Sequence, residues 1–271
     1  MQPICVFDSG LGSISVIKVL MHELPKEHIV YFADRRNYPY GLKSREELRD
    51  IVERGIRRLE GYDPKCIIVA SITPSMLVLN DLRLASSIPL FGVYLHYSLA
   101  RAVESSSSKG IAVLASRAVV RSVDLHDTFK AYMSRASITL VDATELIDMV
   151  ESSRFLQDGA EHAIAGVCRR LLKDASIDSI VLGSTHLSLM EDVLQSLYPN
   201  IKIVNPVMDT VARVKTYLEE HGMLSRELGK EEEGEGEGGE EEEVRLSVLD
   251  VDKDEHLSST LKRLGLRFRP I

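Results

Sequence analysis

The chain has 271 residues, 44% hydrophobic and 27% charged, enough to bury one large or two medium cores and too apolar for a disordered or fibrous protein. Its formal net charge of -8 is local: residues 231–243, EEEGEGEGGEEEE, hold 9 Glu and 4 Gly, and without them 33 basic residues face 32 acidic ones, a net of +1. No apolar run of about 18 residues and no secretory leader is present, so a soluble cytoplasmic protein without a membrane span is expected, and the lack of a basic patch with interleaved aromatics argues against nucleic acid as a ligand.

Apolar runs of strand length recur, each followed by a Gly, Ser, Thr or Asp turn and then a helical pattern. They are PICVF (3–7), HIVYFA (28–33), CIIVA (66–70), PLFGVY (89–94), GIAVLA (110–115), SITLVD (137–142), SIVLG (179–183) and IKIVN (201–205). Continuous apolarity is what strands covered on both faces of a parallel sheet require. Between them, SREELRDIVERGIRRLEGY (44–62) opens with Ser44 and Glu47, a capping-box spacing, and residues 159–175 and 209–222 carry apolar residues at helical spacing. The alternation of strand and helix predicts an α/β architecture with helices on both sheet faces. The Glu/Gly run, taken as 230–243, reads as an expanded, disordered insertion, with a partner-binding acidic tail as the alternative. Three widely spaced cysteines, Cys5, Cys66 and Cys168, give neither a disulfide framework nor a zinc spacing and read as inert core thiols.

A weak internal repeat organises the candidate site. In the first half Ser71 follows Ser9 by 62 residues, and in the second Ser184 follows Ser116 by 68. Parallel sheets bind ligands beyond the carboxyl ends of their strands, so two facing halves would set Asp8, Ser9, Ser71, Ser116 and Ser184 around one cleft.

In order and spacing, FDSGLGSISV (7–16), YFADRRNYPYGLKS (31–44), VASITPS (69–75), VLASRAVVRS (113–122) and VLGSTHLSLM (181–190) resemble the landmarks of glutamate racemase in the aspartate/glutamate racemase superfamily. DTVARVKTYLEEHG (209–222) looks like that family's late helix. The resemblance implies two pseudo-symmetric lobes, each a mostly parallel sheet flanked by helices, with a cleft between them: residues 1–95 plus 208–271 in one lobe and 96–207 in the other. It also implies a cofactor-independent racemase in which one cysteine from each lobe flanks the substrate α-carbon and exchanges a proton with it. The expected ligand is a small amino acid or dicarboxylic acid, and the implied assembly is a homodimer.

The sequence departs from that pattern at the reacting groups. The two cysteine positions fall at Ser71 and Ser184, and none of the three cysteines occupies a matching place. An unassisted hydroxyl is almost never ionised at neutral pH, and acid–base assistance is worth about 10²–10⁴ per group, so two-thiol racemisation is not expected. Ile72 stands where the family has Asn, Pro74 where Ala is usual, and Leu95 and His96 where an acidic residue is expected. Such coordinated departures read as natural divergence and not as an isolated double Cys→Ser change. By the same resemblance Asp8 is the cleft carboxylate, and Ser9, Tyr40, Gly41, Thr73, Ser116 and Thr185 are ligand-binding positions. Asp8 and His186 are the groups able to assist Ser71 and Ser184.

Other readings of the same residues stay open. The protein can be a non-catalytic small-acid-binding or regulatory homologue. Ser184 with His186, and Asp8 as a third member, can form a serine-dependent hydrolase or lyase, although no G-x-S-x-G elbow is present. His96, His126 and His186 with Asp8 make a weak metal candidate lacking any recognised spacing. Asp8 can be the N-cap of the first helix, SGLGSI a fragment of a dinucleotide fingerprint, and Tyr38 and Tyr40 packing around a Pro turn.

Overall fold

The computed structural model describes residues 2–173, 176–225 and 244–271, side chains 124–126 excepted, so the Glu/Gly segment and the His126 side chain lie outside the described residues. Ten strands among the described residues form two parallel sheets. β1 (Ile4–Asp8), β2 (Ile29–Ala33), β3 (Cys66–Val69) and β4 (Leu90–Gly92) belong to the first, with β9 (Leu246–Val248) and β10 (Arg269–Pro270); its order is β10-β9-β2-β1-β3-β4. β5 (Gly110–Ala115), β6 (Ser137–Asp142), β7 (Ile177–Gly183) and β8 (Lys202–Val204) form the second, in the order β6-β5-β7-β8. The arrangement of β6-β5-β7-β8 repeats that of β2-β1-β3-β4, so the weak serine repeat reflects a shared topology.

All eight expected strands are present, and their apolarity explains their placement. β1, β3 and β5 are buried along their whole length, each with a strand paired on either side. β6 departs from the expected continuous burial: it is an edge strand with Ser137 and Thr139 exposed. β9 and β10 were not anticipated, being only three and two residues long. They extend the first sheet at the β2 edge.

The helices follow local signals. In Arg45–Glu60 the Ser44 hydroxyl accepts from Glu47 N at 3.2 Å while the Glu47 carboxylate accepts from Ser44 N at 2.9 Å, closing the capping box. Leu48, Ile51, Val52, Gly55, Ile56 and Leu59 make its buried stripe, and the Phe7 ring packs directly on Gly55, where no larger side chain has room. The late helix, Pro206–Glu220, starts with Pro at its first position and Asn205 as N-cap, accepting from Val207 N at 2.9 Å. It packs on helix Ile14–Glu23, and helix Leu95–Ser105 packs on β7. One apolar cluster accordingly runs from Val6 of the first sheet through Leu99 and Val211 to Val113 of the second. No described helix is long and apolar enough to cross a membrane.

Candidate active site

The carboxyl ends of the two sheets enclose a cavity of about 280 Å³. Asp8 ends β1, Ser71 follows β3 by two residues, Ser116 follows β5 and Ser184 follows β7. The structure brings all ten expected site residues, Asp8, Ser9, Tyr40, Gly41, Ser71, Thr73, Ser116, Ser184, Thr185 and His186, to the lining of this one cavity. Parallel strands that start together end together, so residues far apart in the chain meet wherever strands stop.

On one side stands Asp8, 2% exposed. Its Oδ1 accepts from Ser9 N at 2.7 Å, while Oδ2 has no hydrogen-bond partner among the described residues. Burial pushes the Asp8 carboxyl up to about 7, against the lowering influence of His186, the Ser9 N–H and the nearby Ser71 hydroxyl. Asp8 is not the expected N-cap: Ser13 occupies that place for helix Ile14–Glu23. Ser71 does hold the N-cap position of helix Ile72–Leu77, yet its side chain makes no capping bond.

On the other side, Ser184 Oγ lies 3.3 Å from His186 Nδ1, and His186 Nε2 lies 2.9 Å from Glu151 Oε2. Glu151 is the last residue of helix Thr144–Glu151 and also accepts from Leu11 N at 2.9 Å and from the Arg35 guanidinium. Burial alone would raise the Glu151 pKa, but His186, Arg35 and the Leu11 N–H outweigh it and hold the carboxyl below its usual range. In the neutral imidazole an anionic Glu151 facing Nε2 favours the tautomer with its proton on Nε2. The Nδ1 lone pair is left to accept the Ser184 hydroxyl proton. The carboxylate on His186 Nε2 is therefore Glu151 and not Asp8, which corrects the third member of the alternative Ser184–His186 reading.

The remaining positions divide between lining and support. Ser116 caps helix Arg117–Arg121, accepting from Val119 N at 3.3 Å, which leaves its O–H proton as a donor at the cavity. The Tyr40 hydroxyl donates to Asp34 Oδ2 at 3.1 Å, and its 3% exposed ring packs beside Phe7, which makes Tyr40 a core residue whose turn borders the cavity. Tyr38 is the aromatic that approaches the reacting groups, its ring centroid 6.4 Å from that of His186. Gly41 is needed because a Cβ there would stand 2.7 Å from Ala118 Cβ, across the cleft on the second half.

The glycines of SGLGS find their reason here and not in a nucleotide. A Cβ on Gly12 would lie 2.5 Å from both His186 Nδ1 and Thr185 Oγ1, and one on Gly10 would lie 2.9 Å from Glu151 Oε2. The loop is bare so that His186 and Glu151 can pack on it. His96 is not brought to the cavity; its ring lies tilted against that of Tyr97, centroids 4.1 Å apart. Among the described residues no group of three His, Cys, Asp or Glu is placed to hold a metal ion. Cys5, Cys66 and Cys168 are buried, and burial pushes the Cys5 thiol up to about 12 and that of Cys168 to about 11.

Glu151 and Arg35 were missed in the sequence. Glu151 ends an amphipathic helix in the manner of any solvated charge, and Arg35 sits in a turn with a second arginine beside it. Neither carries a local spacing that announces a partner.

Comparison with known proteins accords with this geometry. The Asp/Glu/Hydantoin racemase family profile matches residues 12–214. A glutamate racemase of Picosynechococcus sp. is 31% identical over 222 residues, covering 82% of this chain and 78% of the relative, and one of Thermoanaerobacter sp. is 30% identical over 238 residues, covering 86% and 87%. Among solved structures, glutamate racemase from Thermus thermophilus in complex with beta-chloro-D-alanine superposes with a TM-score of 0.73 at 25% identity, covering 100% of this chain and 96% of that one. The Escherichia coli glutamate racemase in complex with L-glutamate and the activator UDP-MurNAc-Ala gives 0.78 at 23% identity, covering 100% and 98%.

Proposed function

Since the chain belongs to the Asp/Glu/Hydantoin racemase family, we propose that its cleft takes a small acidic amino acid and exchanges the α-proton slowly, Asp8 acting through Ser71 and His186 through Ser184. The observation that carries this reading is Asp8: a carboxylate 2% exposed, pushed up to about 7, with one oxygen unpartnered beside the cavity. A general base is most effective when its pKa lies near the operating pH, and burial supplies that match here where a thiol supplies it in the two-cysteine mechanism.

The chemistry is a pair of proton transfers. The Asp8 carboxylate takes the α-proton on one face, directly or by relay through the Ser71 hydroxyl. A proton returns to the opposite face from the Ser184 hydroxyl, which recovers one from Nδ1 of the doubly protonated His186; solvent then takes the proton left on Asp8 and reprotonates the imidazole. Glu151 and Arg35 keep His186 oriented throughout. The backbone N–H groups at the start of helix Ile72–Leu77 and the Thr73 and Thr185 hydroxyls offer donors to the ligand carboxylates. Glutamate is the first ligand to try, because the related Escherichia coli structure holds L-glutamate and that of Francisella tularensis D-glutamate.

Proton NMR of L- or D-glutamate and aspartate with the protein in deuterated water tests the reading. Loss of the α-proton signal is expected, and a Ser71→Ala/Ser184→Ala protein should lose most of that rate. A signal unchanged after long incubation, with ligand lines still broadened by the protein, would leave a non-catalytic binding protein in its place.

A second reading rests on the Ser184–His186–Glu151 chain, whose serine, imidazole and buried carboxylate are the parts of an acyl-transfer relay. A fluorophosphonate probe that labels Ser184 would favour hydrolysis; a protein left unlabelled would remove this reading.

A further inference from the structure

A second cavity, of about 590 Å³, lies beside the cleft and is twice its size. It opens beyond the carboxyl ends of β2 and β9, at Ala33 and Leu249, between helix Arg45–Glu60 and the start of helix Glu255–Arg263. Its volume falls within the roughly 300–1,000 Å³ of small-molecule sites, and its place at strand ends is where open parallel sheets receive ligands.

The lining is cationic. Arg35, Arg36, Arg54, Arg58 and Lys253 face Asp34, Asp250 and Asp254, five positive groups against three negative. All three carboxylates are already engaged. Asp34 accepts from Asn37 and Tyr40, Asp250 from Arg58 and Lys253, and Asp254 from Arg35 and Leu257 N. Arg58 is held in place from two sides, by Asp250 and by the Phe32 ring, whose centroid lies 4.3 Å from its guanidinium carbon. Asp34 also feels the charges of Arg54 and Arg58, so five cationic groups share three carboxylates and the lining keeps a formal surplus of two positive charges.

We propose that this pocket binds a small polyvalent oxyanion, of diphosphate or tricarboxylate type, held by Arg36, Arg54 and Arg58. Guanidinium forks match the paired oxygens of both, and several such forks around one cavity favour a ligand carrying more than one negative charge. The ligand is distinct from that of the cleft and its binding does not depend on any reaction there. Arg35 borders the pocket and also holds Glu151, the partner of His186, so one guanidinium connects this pocket to the lining of the cleft.

Titration calorimetry of the full chain with pyrophosphate, and separately with citrate, at low ionic strength is the test. Binding of at least one is expected, weakening as salt is added, and the pair of results identifies the anion as phosphate, carboxylate or either. An Arg36→Ala/Arg54→Ala protein should lose at least tenfold in affinity for the anion while broadening glutamate lines in NMR as the unsubstituted chain does. Both side chains are exposed, so the fold should persist. Failure of both anions to bind overturns the proposal, and so does binding that the double variant retains in full.

Discussion

His186 Nε2 and Glu151 Oε2 stand 2.9 Å apart, joining a strand-end turn to the last residue of a helix 35 positions earlier. This contact lies on the second half of the molecule, and its far side is held by the Arg35 guanidinium from the first half. The orientation of the imidazole is thus set by both halves at once.

Glu151→Ala removes the acceptor that fixes His186 and leaves the Arg35 charge with Asp254 as its remaining ion-pair partner. A stability loss of about 1–3 kcal/mol is expected from the unpaired buried groups, with α-proton exchange at least about tenfold slower from a misplaced imidazole. Urea unfolding and exchange rates measured on one preparation check both. A variant as active as the parent would show that His186 needs no positioning.

Asp8 dictates a pH dependence whose sign is fixed by its raised pKa. A carboxyl at about 7 in the folded chain and about 4 in the unfolded one keeps a proton that the unfolded chain releases. Its contribution is most favourable below about pH 4 and declines by up to about 1.4 kcal/mol per pH unit as pH rises to about 7, then levels. Urea midpoints across that range should fall less in Asp8→Asn than in the parent; identical slopes would mean that Asp8 ionises in the ordinary carboxylate range.

The two hydroxyls offer a gain-of-function experiment. Ser71→Cys/Ser184→Cys installs thiols at both faces of the cavity without changing its outline. Exchange of the glutamate α-proton should rise by about a hundredfold or more, since each assisting group is worth about 10²–10⁴. No rise in the NMR rate would mean that the two positions do not flank the α-carbon.

Gly12→Ala tests the close approach of the first loop to the relay. The added Cβ would stand 2.5 Å from His186 Nδ1 and Thr185 Oγ1, so the turn must shift. A loss of about 1–3 kcal/mol is expected from overpacking, with exchange reduced together with it. A thermal midpoint equal to that of the parent would show that the loop moves freely.

Particular residues show how far sequence reasoning reached. Ser44 and Glu47 announced their capping box because a cap is satisfied within four residues. Apolar runs announced the strands, and the serine spacing announced two halves, because each follows from burial along a strand. Asp8 was left between cleft carboxylate and helix cap, since local pattern cannot tell a carboxylate that accepts from a helix from one facing a cavity; the fold puts it at the cavity and Ser13 at the cap. Tyr40 was expected at the ligand, whereas Asp34 takes its hydroxyl and Tyr38 faces His186 instead.

The sequence by itself determined the α/β class and the strand ends near which Asp8, Ser71, Ser116 and Ser184 lie. Those properties are carried by near neighbours, through hydrogen bonds within a turn and apolar faces along a single element. Tertiary structure alone decided that Glu151 meets His186, that Arg35 braces Glu151, and that burial pushes the Asp8 carboxyl up. Each of these depends on which distant groups surround a charge and how much water is excluded, and both are fixed only when the two sheets close on each other.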